Sequence, residues 1–345
     1  MVHHRGMAKV EIPFIVEANY DGCRLDRYLQ QKLGRASRAQ VQRIIRDSIV
    51  QDGERPLKPS SRVTPGLRIR VLKDEVAEPE GLPEEVSILH DEDGVLIVDK
   101  PAGLPVHPTA RYYRGTLTTI LGRDHLDEAG RRPDPAHRLD RETSGALVCG
   151  RNPATTRALK ALFSPPVGGT PEDRDRAIDK DYIAIVEGDP EWKARRIVHP
   201  LAMTREHLVR IRMSVVDPDH PGALPSSTVA EVLDRYESQE GARFTLLSCR
   251  LETGRQHQIR AHLAAEGLPI VGDKIYGHDE SIFVRFTEGS MTDRDRAVLR
   301  LDRHALHAWR IAFAHPFSGC RIEVEAPLPR DLQGFLDGLS ILDRE

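Results

Sequence analysis

One polar loop holds most of the residues of this chain that could do chemistry, HRLDRETSGALV at residues 137–148. A charge-dense loop that runs directly into an apolar strand can hold a short carboxylate against a rigid sheet, where active sites are commonly built. Asp140 stands between Arg138 and Arg141, and their positive charges favour its ionised form. The alternative is an ordinary loop aspartate that caps a turn, which is the commoner role for this residue type.

A second polar stretch, TGRQHQIRAH at residues 253–262, offers a partner for such a carboxylate. Thr253 and Gln256 have the spacing of a capping box, which predicts that a helix begins here with Arg255 in its first turn. A guanidinium in that position is suited to lowering the pKa of a carboxylate and fixing its rotamer. The alternative is that Arg255 binds a phosphate or lies on the surface.

Fifteen histidines raise the question of a metal site. The tightest pairs are His304 with His307 and His257 with His262, and no cysteine accompanies either pair. The second pair is spaced i, i+5, whereas two ligands on one helical face require i, i+4. We therefore expect no metal.

Several classes of protein are excluded by what the sequence lacks. It contains no Gly-rich phosphate loop, no serine nucleophile elbow and no dinucleotide fingerprint. No run approaches the ~18 consecutive apolar residues of a membrane-spanning helix, and no secretory signal is visible. The four cysteines lie far apart without a CxxC pair, which favours a cytoplasmic chain with reduced thiols and no membrane association.

The elements that must position these loops form a long mixed segment from residue 86 onward. Val86–His90 and Val95–Asp99 are β-prone runs joined at Asp93-Gly94, which predicts a hairpin. Asn152 followed by a proline predicts the start of a helix. Further predicted strands are 146–149, 180–186, 208–213, 228–233, 244–251, 309–313 and 321–324. Strands outnumber helices, so we expect an α+β fold with a largely antiparallel sheet.

The charge of the chain is distributed unevenly, although its formal net charge is only -3. Residues 20–73 contain thirteen Lys and Arg against five Asp and Glu, a local net charge of +8. Residues 74–93 contain nine Asp and Glu and no Lys or Arg. The first segment has the character of a nucleic-acid-binding module, and residues 74–85 that of an acidic linker.

The basic segment predicts two helices and a small sheet. Apolar residues at helical spacing predict the first helix, namely Leu25, Tyr28, Leu29 and Leu33. Ser37 and Gln40 form a capping-box pair that predicts the start of the second helix. Short strands are expected at 49–51 and 67–72. One polar stripe of the second helix is suited to phosphate contacts and contains Arg38, Gln42 and Arg46.

The loop HRLDRETSG at residues 137–145 resembles the signature of RluA-type pseudouridine synthases, whose aspartate is the catalytic residue of the family. The other family motifs have similar stretches in the same order, at residues 100–108, 180–182, 253–262, 269–277, 305–308 and 313–316. Residues 20–73 resemble the αL-type RNA-binding module named after a ribosomal small-subunit protein. The resemblance covers about residues 20 to 330, with small departures at Glu142, Leu268 and residues 149–151.

This resemblance implies a pseudouridine synthase fold at 86–330 behind an αL-type domain at 20–73 and the linker at 74–85. It implies an enzyme that isomerises uridines in structured RNA, most of all large-subunit ribosomal RNA, without a cofactor. We expect this enzyme to be a monomer. Rival interpretations are a non-catalytic RNA-binding assembly factor, which would lack the catalytic residues, and a glycosidase. The glycosidase would require Glu142 to work beside Asp140.

The resemblance also assigns roles to four residues. Asp140 is the catalytic carboxylate, and Arg255 is its ion-pair partner. Tyr182 packs on the target base and helps to move the proton from carbon 5, although an aromatic residue in a strand is more often part of the core. Arg138 fills the gap left by the extruded uridine, because the glycosidic bond is inaccessible within a base stack.

Overall fold

The computed structural model describes residues 9–17, 20–33, 38–51, 57–74, 78–79, 81–109, 112–163, 178–204 and 206–342. The chain divides into two compact units, Met1–Ala77 and Glu78–Glu345. In the part of the chain described, no helix is both long enough and apolar enough to cross a membrane.

The first unit contains two helices and a three-stranded antiparallel sheet. The helices are α1 (Leu25–Leu33) and α2 (Arg38–Asp47), and the strands are β1 (Lys9–Ile15), β2 (Ile49–Gln51) and β3 (Arg68–Asp74), in the order β1-β3-β2. Leu25, Tyr28 and Leu29 are fully buried against Val41 and Ile45. The two predicted helices are confirmed, whereas β1 was not predicted. The expected cap Ser37 lies outside the described residues.

The acidic segment is divided between the two units. Glu78 begins the second unit, where its carboxylate accepts hydrogen bonds from the backbone N–H groups of Arg114 at 2.7 Å and Gly115 at 2.9 Å, and also from that of Tyr113. Arg123 donates to the carbonyl of Glu84 at 2.5 Å. The second part of the predicted linker is therefore attached to the unit that follows it.

The second unit is built on an eleven-stranded sheet. Its main path is β16-β12-β13-β8-β14-β7-β5-β4, while β15 pairs with β14, β6 with β7 and β9 with β12. The strands are β4 (Ser87–Glu92), β5 (Val95–Lys100), β6 (Asp134–Pro135), β7 (Ser144–Gly150), β8 (Asp179–Glu187), β9 (Ala194–Ile197), β12 (Thr228–Glu237), β13 (Arg243–Leu251), β14 (Leu306–Ala314), β15 (Arg321–Glu325) and β16 (Ser340–Ile341). A separate two-stranded sheet contains β10 (Leu201–Met203) and β11 (Met213–Val215).

Among the described strands, β7 and β14 form the one parallel pair, so the expected α+β fold with a largely antiparallel sheet is confirmed. The predicted hairpin is also confirmed, because β4 and β5 pair across Asp93 and Gly94. These two residues have φ values of 51° and 82°, the left-handed backbone that two-residue hairpin turns require.

Six helices of this unit accompany the sheet in the described ranges. They are α3 (Leu117–Asp124), α4 (Pro153–Phe163), α5 (Gln258–Ala265), α6 (Ser281–Glu288), α7 (Asp293–Leu299) and α8 (Arg330–Asp337). The predicted cap of α4 is confirmed, since the backbone N–H of Thr155 donates to Asn152 Oδ1 at 2.9 Å.

The predicted strand at residues 208–213 is wrong. This segment forms the connection of the β10–β11 hairpin, and only Met213 belongs to a strand. Val209 and Met213 are buried with Tyr276 in a small core, whereas Leu208 and Ile211 are exposed. The alternation of apolar residues therefore reflects the packing of a turn.

Strand β7 is buried along its whole length, between β5 and β14. Gly145 lies opposite Ala308 of β14 and has a φ of 111°. A Cβ atom at Gly145 would lie 2.2 Å from the carbonyl oxygen of Ala308. The polar loop at residues 137–143 therefore leads into a central strand of the sheet. Where that strand begins, β7 and β14 lie so close together that only a glycine fits at position 145.

Candidate active site

Buried polar contacts hold the loop that carries Asp140. The Nζ of Lys100 is fully buried and donates to the carbonyls of Pro101 at 2.8 Å, Leu104 at 3.0 Å and Arg141 at 3.1 Å. Burial lowers the pKa of Lys100 to about 7. In its charged form, the three N–H groups of Lys100 match these three acceptors, so the ammonium attaches the loop to the end of β5.

His137 fixes the beginning of the same loop. Its Nε2 accepts a hydrogen bond from the backbone N–H of Val148 at 3.0 Å, and its ring stacks on Phe163 with centroids 4.1 Å apart. Burial lowers the pKa of His137 to about 3. The ring is therefore neutral at physiological pH and accepts at Nε2.

Arg260, on α5, lies between two carboxylates. Its Nη1 donates to Asp140 Oδ2 at 2.8 Å, while its Nε and Nη2 donate to the two oxygens of Asp273 at 2.7 and 2.8 Å. Asp273 also accepts from the backbone N–H groups of Ile275 and Tyr276. The planar fork of an arginine allows it to bind both groups at once.

The prediction that Arg255 pairs with Asp140 is corrected by this geometry. Helix α5 begins at Gln258 instead of the predicted Thr253 cap, so Arg255 lies in the turn before it. Its Nε donates to the carbonyl of Pro225 at 3.1 Å. The ion pair with Asp140 that the sequence analysis assigned to Arg255 is therefore made by Arg260.

Asp140 is held as an anion. Burial alone would raise the pKa of Asp140, but His257, Arg260 and His304 together lower it to about 2. The His257 Nε2 is 3.8 Å from Asp140 Oδ2, yet burial lowers the pKa of His257 itself to about 4. At neutral pH the charge that stabilises Asp140 is therefore that of Arg260.

Two cavities meet at Asp140. The first, named here the tyrosine cavity, has a volume of about 70 Å³ and is lined by Tyr182, Leu251 and Leu306 among others. The second, named the aromatic cavity, has a volume of about 320 Å³. Its wall includes Tyr112, Arg141, Lys274, Phe283 and Phe286. The residues common to both walls are Arg138, Asp140, His257 and Arg260.

The other residues predicted for the site take different positions around Asp140. Tyr182 is 8% exposed, and burial followed by the charge of Asp140 raises the pKa of its hydroxyl. Arg138 is exposed and lines both cavities. Arg255 is partly exposed at the wall of the tyrosine cavity. The structure thus brings Asp140, Tyr182 and Arg138 together.

Two cationic side chains in the wall of the aromatic cavity donate hydrogen bonds to the carboxylate of Glu142. Lys274 donates to both of its oxygens at 3.0 Å, and Arg141 donates to one of them at 3.0 Å. Lys274 also donates to the carbonyl of Asp302. This carboxylate therefore has a structural role, which disfavours a glycosidase with Asp140 and Glu142 as its acid and base.

The histidine pairs form hydrogen bonds with the protein. His304 contacts Thr143 Oγ1 at 2.7 Å, and His307 contacts Ser144 Oγ at 2.9 Å. His257 contacts the hydroxyl of Tyr276 at 3.0 Å, and His262 contacts that of Thr228 at 2.9 Å. In the described ranges, no three His, Cys, Asp or Glu side chains are grouped to hold a metal ion.

The residues predicted to bind RNA lie on α2 of the first unit. Arg46 is exposed. The amide of Gln42 donates to the buried carboxylate of Asp26 at 3.5 Å. The side chain of Arg38 lies outside the described residues. Among the three residues of the predicted stripe, Arg46 is therefore the one whose side chain is described as exposed.

Comparison with known proteins gives a consistent result. Residues 94–265 match the family described as RNA pseudouridylate synthase. The chain is 34% identical to a "Ribosomal large subunit pseudouridine synthase D" of Nitrosomonas europaea, covering 95% of this chain and 88% of the relative. It is 36% identical to an "Uncharacterized RNA pseudouridine synthase" of Chloroflexus aurantiacus, covering 90% and 88%.

A solved structure gives the same fold. The chain of "Human RNA Pseudouridylate Synthase Domain Containing 1" superimposes with a TM-score of 0.57 at 24% identity, covering 77% of this chain and 92% of the human one. At this identity the similarity concerns the fold, and it agrees with the large mixed sheet described above.

Proposed function

The chain belongs to the RNA pseudouridylate synthase family and is an isomerase, and from this premise we propose that it converts uridines of large-subunit ribosomal RNA to pseudouridine with Asp140 as the catalytic carboxylate. The observation that carries the assignment of Asp140 is its ion pair with Arg260, at the point where two cavities meet. The name of the relative from Nitrosomonas europaea, a ribosomal large subunit pseudouridine synthase, supports the ribosomal substrate. We further propose that the protein acts as a cytoplasmic monomer without a cofactor.

The reaction requires an ionised and oriented carboxylate. The bond from ribose C1′ to N1 of uracil breaks, the base rotates, and a bond from C1′ to C5 forms. C5 loses its proton and N1 gains one, so the product has the mass of the substrate. Asp140 could attack C1′, attack the base or abstract a ribose proton. A pKa of about 2 keeps Asp140 ionised and Arg260 fixes its orientation, so it supplies the ionised, oriented carboxylate that the three routes share. The same low pKa makes it a weak base for proton abstraction.

The neighbours of Asp140 are suited to an extruded nucleotide. A glycosidic bond inside a base stack is inaccessible to a side chain, so the uridine must leave the stack. Tyr182 lines the tyrosine cavity beside Asp140 and offers a ring on which the uracil packs. Arg138 is exposed at the same wall, where its long side chain is able to fill the gap in the RNA. Arg260 takes the partner role, which leaves Arg255 as a phosphate contact.

The first unit supplies affinity in this proposal. A basic two-helix module with a small sheet binds RNA mainly through phosphates. The exposed Arg46 of α2 supports this role, and Arg38 and Gln42 belong to the same proposed surface. The catalytic residues are all in the second unit.

The test is an isosteric substitution. Asp140→Asn removes the charge and keeps the volume, so we expect pseudouridine formation to disappear while RNA binding stays within a few fold. Asp337→Asn, at an exposed position on α8, is the matched control and should retain wild-type activity. Pseudouridine is mapped in total RNA from a deletion strain complemented with each variant. Near wild-type turnover by Asp140→Asn would refute the assignment, and release of free uracil would indicate a glycosidase.

A further inference from the structure

The aromatic cavity is larger than the space beside Tyr182, and its wall differs in chemistry. Both cavities open at Asp140, but Tyr182 lines only the tyrosine cavity. The aromatic cavity instead has three phenyl or phenol rings in its wall, those of Tyr112, Phe283 and Phe286. A single target uridine packed on Tyr182 therefore leaves a second space of about 320 Å³ beside the same carboxylate.

The rings of this wall are combined with cationic groups. The guanidinium carbon of Arg141 is 5.3 Å from the ring centroid of Tyr112 and 5.1 Å from that of Phe286. The Nζ of Lys274 is 4.8 Å from the centroid of Phe286. Aromatic rings and arginine planes are the surfaces on which unpaired bases stack in single-stranded RNA recognition.

The charge of the wall suits a polyanion. Four cationic side chains line the aromatic cavity, while the carboxylates lining it are two, Asp140 and Glu142. The cations are Arg138, Arg141, Arg260 and Lys274. Because Arg260 also binds the buried carboxylate of Asp273, the local excess is one positive charge. This excess lowers the cost of bringing backbone phosphates to the wall.

We propose that the aromatic cavity binds the base of a nucleotide directly adjacent to the target uridine, stacked against the Phe286 and Arg141 side of its wall. The inference rests on the proposed function, which assigns the target uracil to the tyrosine cavity. Because the two cavities share Asp140 and Arg260, consecutive nucleotides are able to occupy them together. The protein thus takes two neighbouring bases out of the RNA stack.

The test is a double-mutant cycle in which a protein side chain and an RNA base are removed singly and together. The target uridine is first mapped in total RNA, so that it is identified in whichever RNA contains it. Synthetic RNA of that sequence is then made intact, with the target base removed, and with either neighbouring base removed. Affinity is measured for these RNAs on an Asp140→Asn background, which prevents turnover, with and without Phe286→Ala.

The expected result is a loss of affinity that depends on one neighbouring base. Phe286→Ala should weaken binding of intact RNA about tenfold, since a stacked base contributes about 1–3 kcal/mol. The loss should persist when the target base is absent, and it should shrink to within about twofold when one neighbouring base is absent. Phe286→Tyr keeps the ring and should bind like the parent. Phe317→Ala removes an exposed ring that lines neither cavity and should have no effect.

Two outcomes would overturn the inference. An equal loss of affinity on every RNA would make Phe286 a structural residue, and a loss that disappears with the target base would assign the aromatic cavity to the uridine itself. The mapping step tests the proposed function separately from the binding measurements. A target uridine outside large-subunit RNA would change the proposed substrate, and the binding measurements on that RNA would still test the aromatic cavity.

Discussion

The Nη1 atom of Arg260 lies 2.8 Å from the Oδ2 atom of Asp140, and the other donors of the same guanidinium bind Asp273. The orientation of the proposed catalytic carboxylate is therefore set by a residue of α5, whose own position is set by a second, fully buried carboxylate. This arrangement requires a planar group with donors on two sides, which lysine does not have.

We expect Arg260→Lys to lower the single-turnover rate by more than about 100-fold, although the positive charge is kept. A lysine ammonium cannot bind Asp140 and Asp273 together in the geometry of the fork. Arg255→Lys is the matched control within the same stretch, and we expect a change of less than about threefold. Both rates are measured at saturating RNA, and a larger decrease for Arg255→Lys than for Arg260→Lys would contradict the assignment.

The pH dependence of the reaction follows from the lowered pKa values of two groups. Asp140 has a pKa of about 2 and His257 of about 4, so the charged carboxylate and the neutral imidazole both persist above pH 5. We expect no decrease in the single-turnover rate as the pH falls from 8 to 5, where Lys100 gains the proton that holds the loop, and a decrease only below about pH 4. A half-maximal rate near pH 6 would argue against Asp140 as the carboxylate.

Removing the cation should shift this profile. In Arg260→Gln the burial of Asp140 remains while its charged partner is removed, so the pKa of Asp140 should rise. The remaining activity should then fall at a higher pH than in the wild type. Circular dichroism across the same pH range separates loss of activity from acid unfolding.

Gly145→Ala should destabilise the second unit by about 3 kcal/mol or more. The new Cβ would lie 2.2 Å from the carbonyl oxygen of Ala308, at a φ of 111° that an L-residue rarely adopts. Gly130→Ala is the control, because Gly130 also has a positive φ of 70° but no atom within 4 Å of the added Cβ. We expect it to cost only about 1 kcal/mol. The free energy of unfolding of both variants is measured by denaturant titration. An equal loss for the two variants would mean that the two strands move apart easily to make room for the new Cβ.

Deleting residues 1–77 should leave a folded enzyme with weak affinity for long RNA. The cut precedes Glu78, which is bound to backbone N–H groups at 113–115 of the second unit. We expect turnover of short RNA to persist and the salt dependence of binding to flatten. Every phosphate that the shortened protein no longer neutralises should reduce that slope by about 0.7–0.9 log units per decade of salt. Titrations of both proteins at several salt concentrations check this, and equal slopes would mean that the first unit is not an RNA anchor.

The sequence predicted the loop of Asp140 well, because a charged run beside an apolar run marks the end of a buried strand. It missed Arg260, because the Thr253 and Gln256 spacing predicted a helix start four residues too early. Each residue turns a helix by about 100°, so an error in the start changes which side chain faces the site. A usable signal was present, since Ile259 and Leu263 mark α5 as buried, and an arginine beside them requires a partner.

Strand β1 and the hairpin of β10 and β11 were harder to predict for a different reason. The residues of β1 pair with β3, some sixty positions later in the chain, and local periodicity contains no information about a distant partner. The segment at 208–213 has the apolar alternation of a strand, but the side chains of Leu208 and Ile211 are exposed. Tertiary packing decided these elements.

The order β8-β14-β7 has a consequence for the synthesis of the protein. β14, at Leu306–Ala314, lies between two strands that are made more than a hundred residues earlier. Until the ribosome has released it, β7 and β8 are open sheet edges, which are prone to pair with other chains. A nascent chain that already contains Asp140 and Arg260 therefore still has its sheet in two parts. Enzyme activity should begin only after β14 has left the ribosome and paired with β7 and β8, and chains that end before Leu306 should aggregate.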